Sequence, residues 1–177
     1  MIEPEVHRDQ RGFFLESYHK RRFAELGIRD EFVQDNHSRS LHGVLRGIHY
    51  QDLSAPMAKL VRCTVGRILD VAVDLRAGSP TFGHWWAAEL TADNQRQLLV
   101  PVGFGHAFLT LSDAAEVQYK CSGFYAPNAE GSIVWDDPDL AIAWPLAEPV
   151  VSAKDSAAPS FKAYSRHPAF HYAGAVR

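Results

Sequence analysis

The amino-acid sequence predicts an all-β protein, either a sandwich or a barrel of short strands. About ten runs of alternating or apolar residues follow one another between positions 13 and 144, which is typical of that fold class. Turn residues such as those at 78–80 separate the runs at short spacing, and no stretch has the strand–helix–strand rhythm of a parallel sheet. With 177 residues, of which 46% are hydrophobic, the chain is long enough for one domain with a packed core.

The individual elements are predicted from alternation, from β-branched and aromatic content, and from the turn residues between them. One short helix is expected over residues 20–26, because Phe23 and Leu26 are three positions apart and Gly27 suits the position after a helix end. The predicted strands are residues 13–18, 44–51, 60–64, 68–76, 84–90, 97–100, 105–111, 115–121, 133–135 and 142–144.

The strand predicted at 68–76 alternates cleanly between two faces. Its apolar residues occupy positions 69, 71, 73 and 75, whereas Asp70, Asp74 and Arg76 occupy the opposite face. Three charged residues on this second face predict that it is in contact with water.

The two ends of the chain and its cysteines suggest a simple organisation. Met1 is followed by charged residues, and no apolar run approaches the roughly 20 residues that span a bilayer, so we expect a cytoplasmic protein without a membrane partner. Residues 156–177 mix Ala, Ser, His and Pro without a period and are interpreted as a C-terminal tail of a single domain spanning residues 1–177. Cys63 and Cys121 lie in strand-like runs and are expected to be buried free thiols.

The charge balance excludes one class of partner. The 18 Lys and Arg residues are outnumbered by 21 Asp and Glu residues, for a formal net charge of −3. A nucleic-acid partner is therefore not expected, since there is no cationic surplus to neutralise a phosphate backbone. A small anionic ligand needs only a few cations gathered in one place and stays possible.

The strand predicted at 44–51 carries Arg46 and His49 into the expected interior. An imidazole beside cations in a core is costly unless it serves a purpose, and we interpret His49 as a catalytic base. Residues three apart lie on opposite faces of a regular strand, so both side chains reach one pocket only if the strand bulges near Gly47.

Residues 101–106 fit the pattern P-x-G-x-x-H, which resembles the second signature of cupin jelly rolls. Metal-binding cupins carry H-x-H and a glutamate in their first signature, whereas Gln51 here stands where the second histidine would be. With His49 and His106 as the only candidate ligands, no metal site is expected. The fold is therefore predicted as a cupin-like double-stranded β-helix, or jelly roll, with one or two short helices and a C-terminal arm.

A wider resemblance is more specific, because eight sequence blocks occur in one order. Together they closely resemble the dTDP-4-dehydrorhamnose 3,5-epimerase family over about residues 3–160. The blocks are residues 9–18, 32–38, 45–51, 59–63, 70–76, 79–83, 115–120 and 152–155. The resemblance implies a homodimer without cofactor or metal, acting on dTDP-4-dehydro-6-deoxy-D-glucose.

The resemblance also implies a proton-transfer mechanism at the two carbons that flank the C4 ketone, C3 and C5. His49 matches the family's base, and Tyr119 matches the acid on the opposite face of the sugar. Lys59 would bind the ketone oxygen. Asp155 matches the carboxylate that orients His49, although Asp70 is a second candidate for that role.

Further positions match substrate-binding residues of the family. Arg46 and Arg11 match contacts to the diphosphate, and Tyr125 matches an aromatic that stacks on thymine. The remaining matched positions are Glu16, Gln34, Asp35, Asn36, Lys59, His106, Glu130 and Lys154. The order Gly105-His106-Ala107 reverses the commoner Ala-His-Gly, and Met57 stands where glutamine is frequent.

Three other functions stay open from the sequence. The first is a relative that inverts only C3 or only C5 in another deoxysugar pathway. The second is a non-catalytic cupin that binds nucleotide sugars, which His49 and Tyr119 disfavour, because a binder needs neither a base nor an acid. The third is a metal-dependent cupin dioxygenase, which the missing H-x-H disfavours.

Overall fold

The computed structural model describes residues 1–174 and consists mainly of antiparallel strands. The strands are β1 (Val6–Asp9), β2 (Gly12–Leu15), β3 (Gln34–Leu41), β4 (Leu45–Gln51), β5 (Lys59–Val65), β6 (Arg67–Asp74), β7 (Arg76–Ala77), β8 (Trp85–Thr91), β9 (Gln97–Val100), β10 (Phe104–Thr110), β11 (Ala114–Cys121), β12 (Glu130–Ser132) and β13 (Phe170–His171). The helices are α1 (Lys20–Glu25), α2 (Ala153–Ser156) and α3 (Phe161–Tyr164), with a 3-10 turn at Pro127–Ala129.

Two large sheets form the body of the fold. The five-stranded sheet has the order β12-β4-β10-β6-β8 and the four-stranded sheet the order β3-β11-β5-β9. Alternate residues of both sheets meet in one apolar core, where Ile68, Ala72 and Phe108 of the first sheet pack with Val61 and Val117 of the second. The all-β, jelly-roll prediction is confirmed by this arrangement, although the described chain has three short helices where one or two were predicted.

The strand β6 is buried on both of its faces, because its outer face is also covered. Val71, Val73 and Leu75 pack on Tyr164 and Phe170, which belong to the C-terminal segment. The Tyr164 hydroxyl donates to the Leu75 carbonyl oxygen at 2.6 Å and fixes that segment on the sheet. The segment interpreted as a tail thus contributes to a second core as far as it is described; residues 175–177 lie outside the described part.

The solvated face predicted for this strand is wrong. Asp70 and Asp74 have no exposed surface, since they point between the two sheets. Asp74 is neutralised by Arg76 and accepts hydrogen bonds from Ser79 and Thr81. Alternation alone separated the two faces correctly, but it did not show that the polar one is interior.

Two predicted strands, 133–135 and 142–144, are not formed. Ile133 exchanges two backbone hydrogen bonds with Ile48, but the chain then leaves the sheet, and the observed strand is the preceding β12. Farther on, Ala141 has a positive φ of 46° and Trp144 donates its indole N–H to the Trp135 carbonyl oxygen, so this apolar stretch is held in a loop.

The N-terminal region forms a separate hairpin followed by the predicted helix. Among the described residues, strands β1 and β2 pair only with each other, and Phe13 and Phe14 of β2 are 53% and 70% exposed. Helix α1 buries Phe23 against Tyr18 and is followed by Gly27 at a φ of +88°, so the helix prediction is confirmed. Within the described chain, no helix is long and apolar enough to cross a membrane.

Candidate active site

A cavity of about 480 Å³ opens between the two large sheets. One wall comes from β4 and β10, the facing wall from β3, β5 and β11, and the C-terminal segment closes one side. The lining residues are Ser38, Val44, Leu45, Arg46, His49, Lys59, His106, Phe108, Tyr119, Val150, Val151, Ser152, Lys154 and Asp155. The structure therefore gathers the four predicted catalytic residues, His49, Lys59, Tyr119 and Asp155, around one space.

A bulge in β4 brings Arg46 and His49 to the same face. His49 pairs with His106 of β10, whereas Arg46 pairs with Phe108, so three steps on β4 match two on β10. Gly47 at the bulge has a φ of +129°, and a Cβ atom there would lie 2.7 Å from the His106 carbonyl oxygen. The bulge expected near Gly47 is confirmed, and it requires glycine.

His49 is paired with a buried carboxylate. Its Nε2 lies 2.7 Å from Asp155 Oδ1, and Asp155 is only 3% exposed. Asp155 belongs to α2, where the side chain of the N-cap Ser152 accepts a hydrogen bond from its backbone N–H. In the neutral ring, Nε2 donates to Asp155 and Nδ1 keeps the lone pair that accepts a proton.

The environment of His49 favours its neutral, basic form. Burial lowers the pKa of His49, while the hydrogen bond and negative charge of Asp155 oppose part of that shift. The nearby positive charge of Lys59 lowers the pKa further. These effects together leave an imidazole that is unprotonated at neutral pH and is oriented for proton abstraction.

Tyr119 and Lys59 stand on the facing wall. The Lys59 ammonium lies 5.9 Å from the centre of the Tyr119 ring. Burial raises the pKa of Tyr119, against a hydrogen bond from Asn36, so the phenol keeps its proton. Burial lowers the pKa of Lys59, and among the described residues no carboxylate forms an ion pair with it, so a negatively charged oxygen would be a favourable ligand.

Several predicted binding residues surround the mouth of the cavity. Glu130 accepts from the Tyr125 hydroxyl at 2.9 Å and from Lys154 at 2.6 Å. Gln34 donates to Asn36 at 2.9 Å and accepts from the backbone N–H of Tyr125. Tyr125 is 56% exposed, which leaves its ring free to stack on a ligand.

Three predicted binding residues lie elsewhere. Asp35 is on the outer face of β3, because side chains alternate along a strand, and there it binds Lys120. Arg11 binds Asp9 on the N-terminal hairpin, and Glu16 binds Arg22 of α1. The last two are exposed and do not line the cavity of their own chain.

The sequence interpretation missed other residues of the site. Asp70, the second candidate partner of His49, binds His106 at 2.7 Å instead, because β6 pairs with β10 and not with β4. Ser40 accepts from Arg46 Nε at 3.0 Å and holds that side chain. The sequence signal for Ser40 is its even-numbered position on β3, because the even-numbered side chains of that strand all face inward.

The cysteines and the glutamine at position 51 are structural. Cys63 and Cys121 are free and buried, as expected. Gln51 donates to two backbone carbonyl oxygens and accepts from the N–H of Ala126.

No group of three potential metal ligands occurs within residues 1–174, and both cavity histidines bind carboxylates.

The two-sheet jelly roll and the histidine, tyrosine and lysine of its cavity define a cupin-like protein with the groups of an acid–base isomerase. Comparison with known proteins then identifies the family. The family described as dTDP-4-dehydrorhamnose 3,5-epimerase matches residues 1–163. The chain belongs to the dTDP-4-dehydrorhamnose 3,5-epimerase family of isomerases.

Proteins named as 3,5-epimerases and a protein named as a mono-epimerase are both similar to this chain. The dTDP-4-dehydrorhamnose 3,5-epimerase of Salmonella typhimurium is 53% identical over 161 residues, covering 90% of this chain and 88% of the relative. The solved dTDP-6-deoxy-D-glucose-3,5-epimerase of Legionella pneumophila, in complex with dTDP-4-keto-L-rhamnose, superposes with a TM-score of 0.92 at 48% identity, covering 97% and 92% of the two chains. A 3′-monoepimerase from Streptomyces bikiniensis, in complex with dTDP-quinovose, has a TM-score of 0.88 at 40% identity, covering 93% and 84%.

Proposed function

We propose that this enzyme inverts C3 and C5 of dTDP-4-dehydro-6-deoxy-D-glucose and releases dTDP-4-dehydro-L-rhamnose. The observation that carries the proposal is the placement of His49 and Tyr119 on facing walls of one cavity. Inversion at carbon needs a base on one face of the sugar and an acid on the other, and these two residues have the protonation states for those roles.

The proposed reaction uses the C4 ketone to acidify the neighbouring C–H bonds. His49 Nδ1 removes the proton from C3 or C5, and the electron pair moves into an enolate whose negative oxygen is met by Lys59. The Tyr119 hydroxyl then protonates the same carbon from the opposite face. Asp155 stabilises the imidazolium that His49 becomes after each abstraction.

The proposed substrate contacts follow from charge and exposure. Arg46, exposed at the cavity and held by Ser40, suits the diphosphate, and Tyr125 suits the thymine ring. The other proposed contacts are Gln34, Asn36, His106, Glu130 and Lys154. Asp35 is left out, since it points away from the cavity.

We further propose a homodimer in which the N-terminal hairpin of one subunit serves the cavity of the other. Arg11 and Glu16 lie outside the cavity of their own chain, and the two exposed phenylalanines beside them offer an apolar contact. Mixed dimers test this directly. Arg11→Ala and His49→Ala subunits, each inactive, should regain about a quarter of the wild-type activity when mixed, because one site in each mixed dimer is intact. Without recovery, the hairpin does not act across subunits.

The function itself is tested by hydrogen exchange. The protein is incubated with dTDP-4-dehydro-6-deoxy-D-glucose in D2O, and the signals of the C3 and C5 protons are followed by NMR. Deuterium at both carbons is expected. Deuterium at one carbon alone would select a mono-epimerase, the activity named for the similar Streptomyces bikiniensis protein. No deuterium at either carbon would refute the proposed enzyme activity.

The remaining proposals concern organisation and location. We propose that residues 1–177 act as one domain, because the C-terminal segment contributes both Asp155 to the cavity and Phe170 to a core of the sandwich. We also propose a cytoplasmic enzyme, an environment that keeps thiols such as Cys63 and Cys121 reduced. Limited proteolysis and cell fractionation test these two proposals.

A further inference from the structure

A second histidine–carboxylate pair lies beside the first and has no role in the reaction as described. His106 Nε2 is 2.7 Å from Asp70 Oδ1, the same separation as between His49 and Asp155. The two histidines are direct partners across strands β4 and β10. Asp70 is fully buried and His106 is 6% exposed, so this second pair is the deeper of the two.

Asp70 is unusual among the buried aspartates because it has so few donors. Its Oδ2 atom is buried and has no hydrogen-bond partner among residues 1–174. Asp74, four positions along the same strand face, accepts from Arg76, Ser79 and Thr81. Asp137 likewise accepts from three backbone N–H groups. These two carboxylates are thus well satisfied, whereas Asp70 has one hydrogen-bond partner among the described residues, His106, and Lys59 as a nearby positive charge.

A buried carboxylate with one hydrogen-bond partner is stabilised by positive charge at that partner. An isolated carboxylate in a core is strongly unfavourable, and a protonated imidazole both neutralises it and donates to it. In the part of the chain that the structure describes, no lysine or arginine forms an ion pair with Asp70. The titratable or charged groups that line the cavity together with His106 are Arg46, His49, Lys59, Tyr119, Lys154 and Asp155.

We propose that Asp70 is a positioning residue that holds His106 as an imidazolium whose charge supports the enolate formed at C4. The depth of the pair favours this over a contact to the diphosphate, since exposed Arg46 and Lys154 stand at the mouth. A charged His106 also disfavours a second charge on His49, its direct partner across the two strands, and keeps that ring unprotonated. The inference rests on the proposed epimerase function for its kinetic consequence, but not for the charge state.

The charge state is measured without substrate. In protein carrying 15N-labelled histidine, both ring nitrogens of His106 should show the chemical shifts of a protonated imidazole at neutral pH. The signal is assigned by its loss in His106→Gln or, where that variant is unstable, through contacts with the Phe108 ring. A neutral His106 in the wild-type protein would overturn the proposal, whatever the enzyme's activity.

Replacement of Asp70 tests the link between the two residues. In Asp70→Asn, His106 should become neutral and kcat should fall at least about tenfold, with KM changed little, because the lost charge acts on the transition state. The double variant with His106→Gln should be no slower than His106→Gln alone. An unchanged kcat in Asp70→Asn, or a His106 that stays doubly protonated in it, would contradict the proposal.

Asp74→Asn is the matched control. It removes a buried carboxylate from the same face of β6, so it should lower stability through the lost bonds to Arg76, Ser79 and Thr81. The His106 nitrogen shifts should remain those of the wild type. If Asp74→Asn also made His106 neutral, the loss of charge on His106 would result from a general loosening of the core. That result would contradict the proposed role of Asp70.

Discussion

Replacing Asp155 by Asn isolates the charge that supports the base. The amide has the size of the carboxylate, and its oxygen can still accept from His49 Nε2, but the negative charge is gone. The position is buried and lies 2.7 Å from the ring, so water does not screen the lost interaction effectively. The substitution therefore tests electrostatics with little change of shape.

The expected magnitude follows from the strength of a charged hydrogen bond. Such a bond contributes about 1.5–3 kcal/mol, and this support is needed most when His49 carries the abstracted proton. At 1.36 kcal/mol for each tenfold change in rate, kcat should fall by roughly 10- to 160-fold. If the amide turned and donated to Nε2, it would enforce the wrong tautomer, and the loss would approach about 10⁴-fold.

The pH dependence of the same variant gives a second, signed result. The base works when neutral, so kcat/KM should fall as pH drops below the pKa of His49, which burial places under its ordinary value. Asp155 raises that pKa against the effect of burial, and its removal should move the acid limb to lower pH. Steady-state rates between pH 5 and 8 measure both effects.

A stability measurement separates this reasoning from simple damage to the fold. Asp155→Asn should unfold in urea near the wild-type midpoint, because α2 keeps its Ser152 cap. Wild-type kcat together with an unmoved acid limb in Asp155→Asn would refute the proposed support of His49 by Asp155.

Three other substitutions and treatments have defined outcomes. Tyr119→Phe should slow inversion by about 10²- to 10⁴-fold. Deuterium should still enter through His49 without inversion, as NMR of the product would show. Inversion at the wild-type rate would show that Tyr119 is not the acid. Gly47→Ala should destabilise the fold by about 2 kcal/mol or more in urea titrations, because its Cβ would meet the backbone of β10, and an unchanged midpoint would contradict the need for glycine. Prolonged dialysis against a chelator should leave the rate unchanged, and a loss restored by a divalent metal would revive a metal-dependent mechanism.

Much of the site could be predicted from sequence because eight ordered sequence blocks resemble those of a known family, and His49, Lys59 and Tyr119 lie within these blocks. Alternation with a period of two shows in addition which residues share a strand face, and it separates Asp70 from Leu69 on β6. The same rule, applied to β3, would have placed Asp35 outside and Asn36 inside. Asp35 and Asn36 are consecutive on β3, so only one of the two side chains can face the cavity of their own chain.

Partners across the fold were beyond the reach of that local rule. Asp155 is 106 positions away from His49 in the chain, and Asp70 is 36 away from His106. Both carboxylates were compatible with His49 until the strand order set β6 beside β10. Whether Arg11 and Glu16 contact a cavity likewise depends on how distant parts of the protein pack together, which the alternation of side chains along a strand does not show.

The sequence by itself determined the all-β fold class, the positions of most strands along the chain, the likeness to one epimerase family and the residue types available for acid–base chemistry. Only the tertiary structure decided that the polar face of β6 is interior, that the C-terminal segment covers the opposite face, and that two histidines each have their own aspartate. The physical reason is one of range. Backbone geometry sets which residues share a face within a few positions, whereas burial and pairing of charges depend on which distant segments pack together.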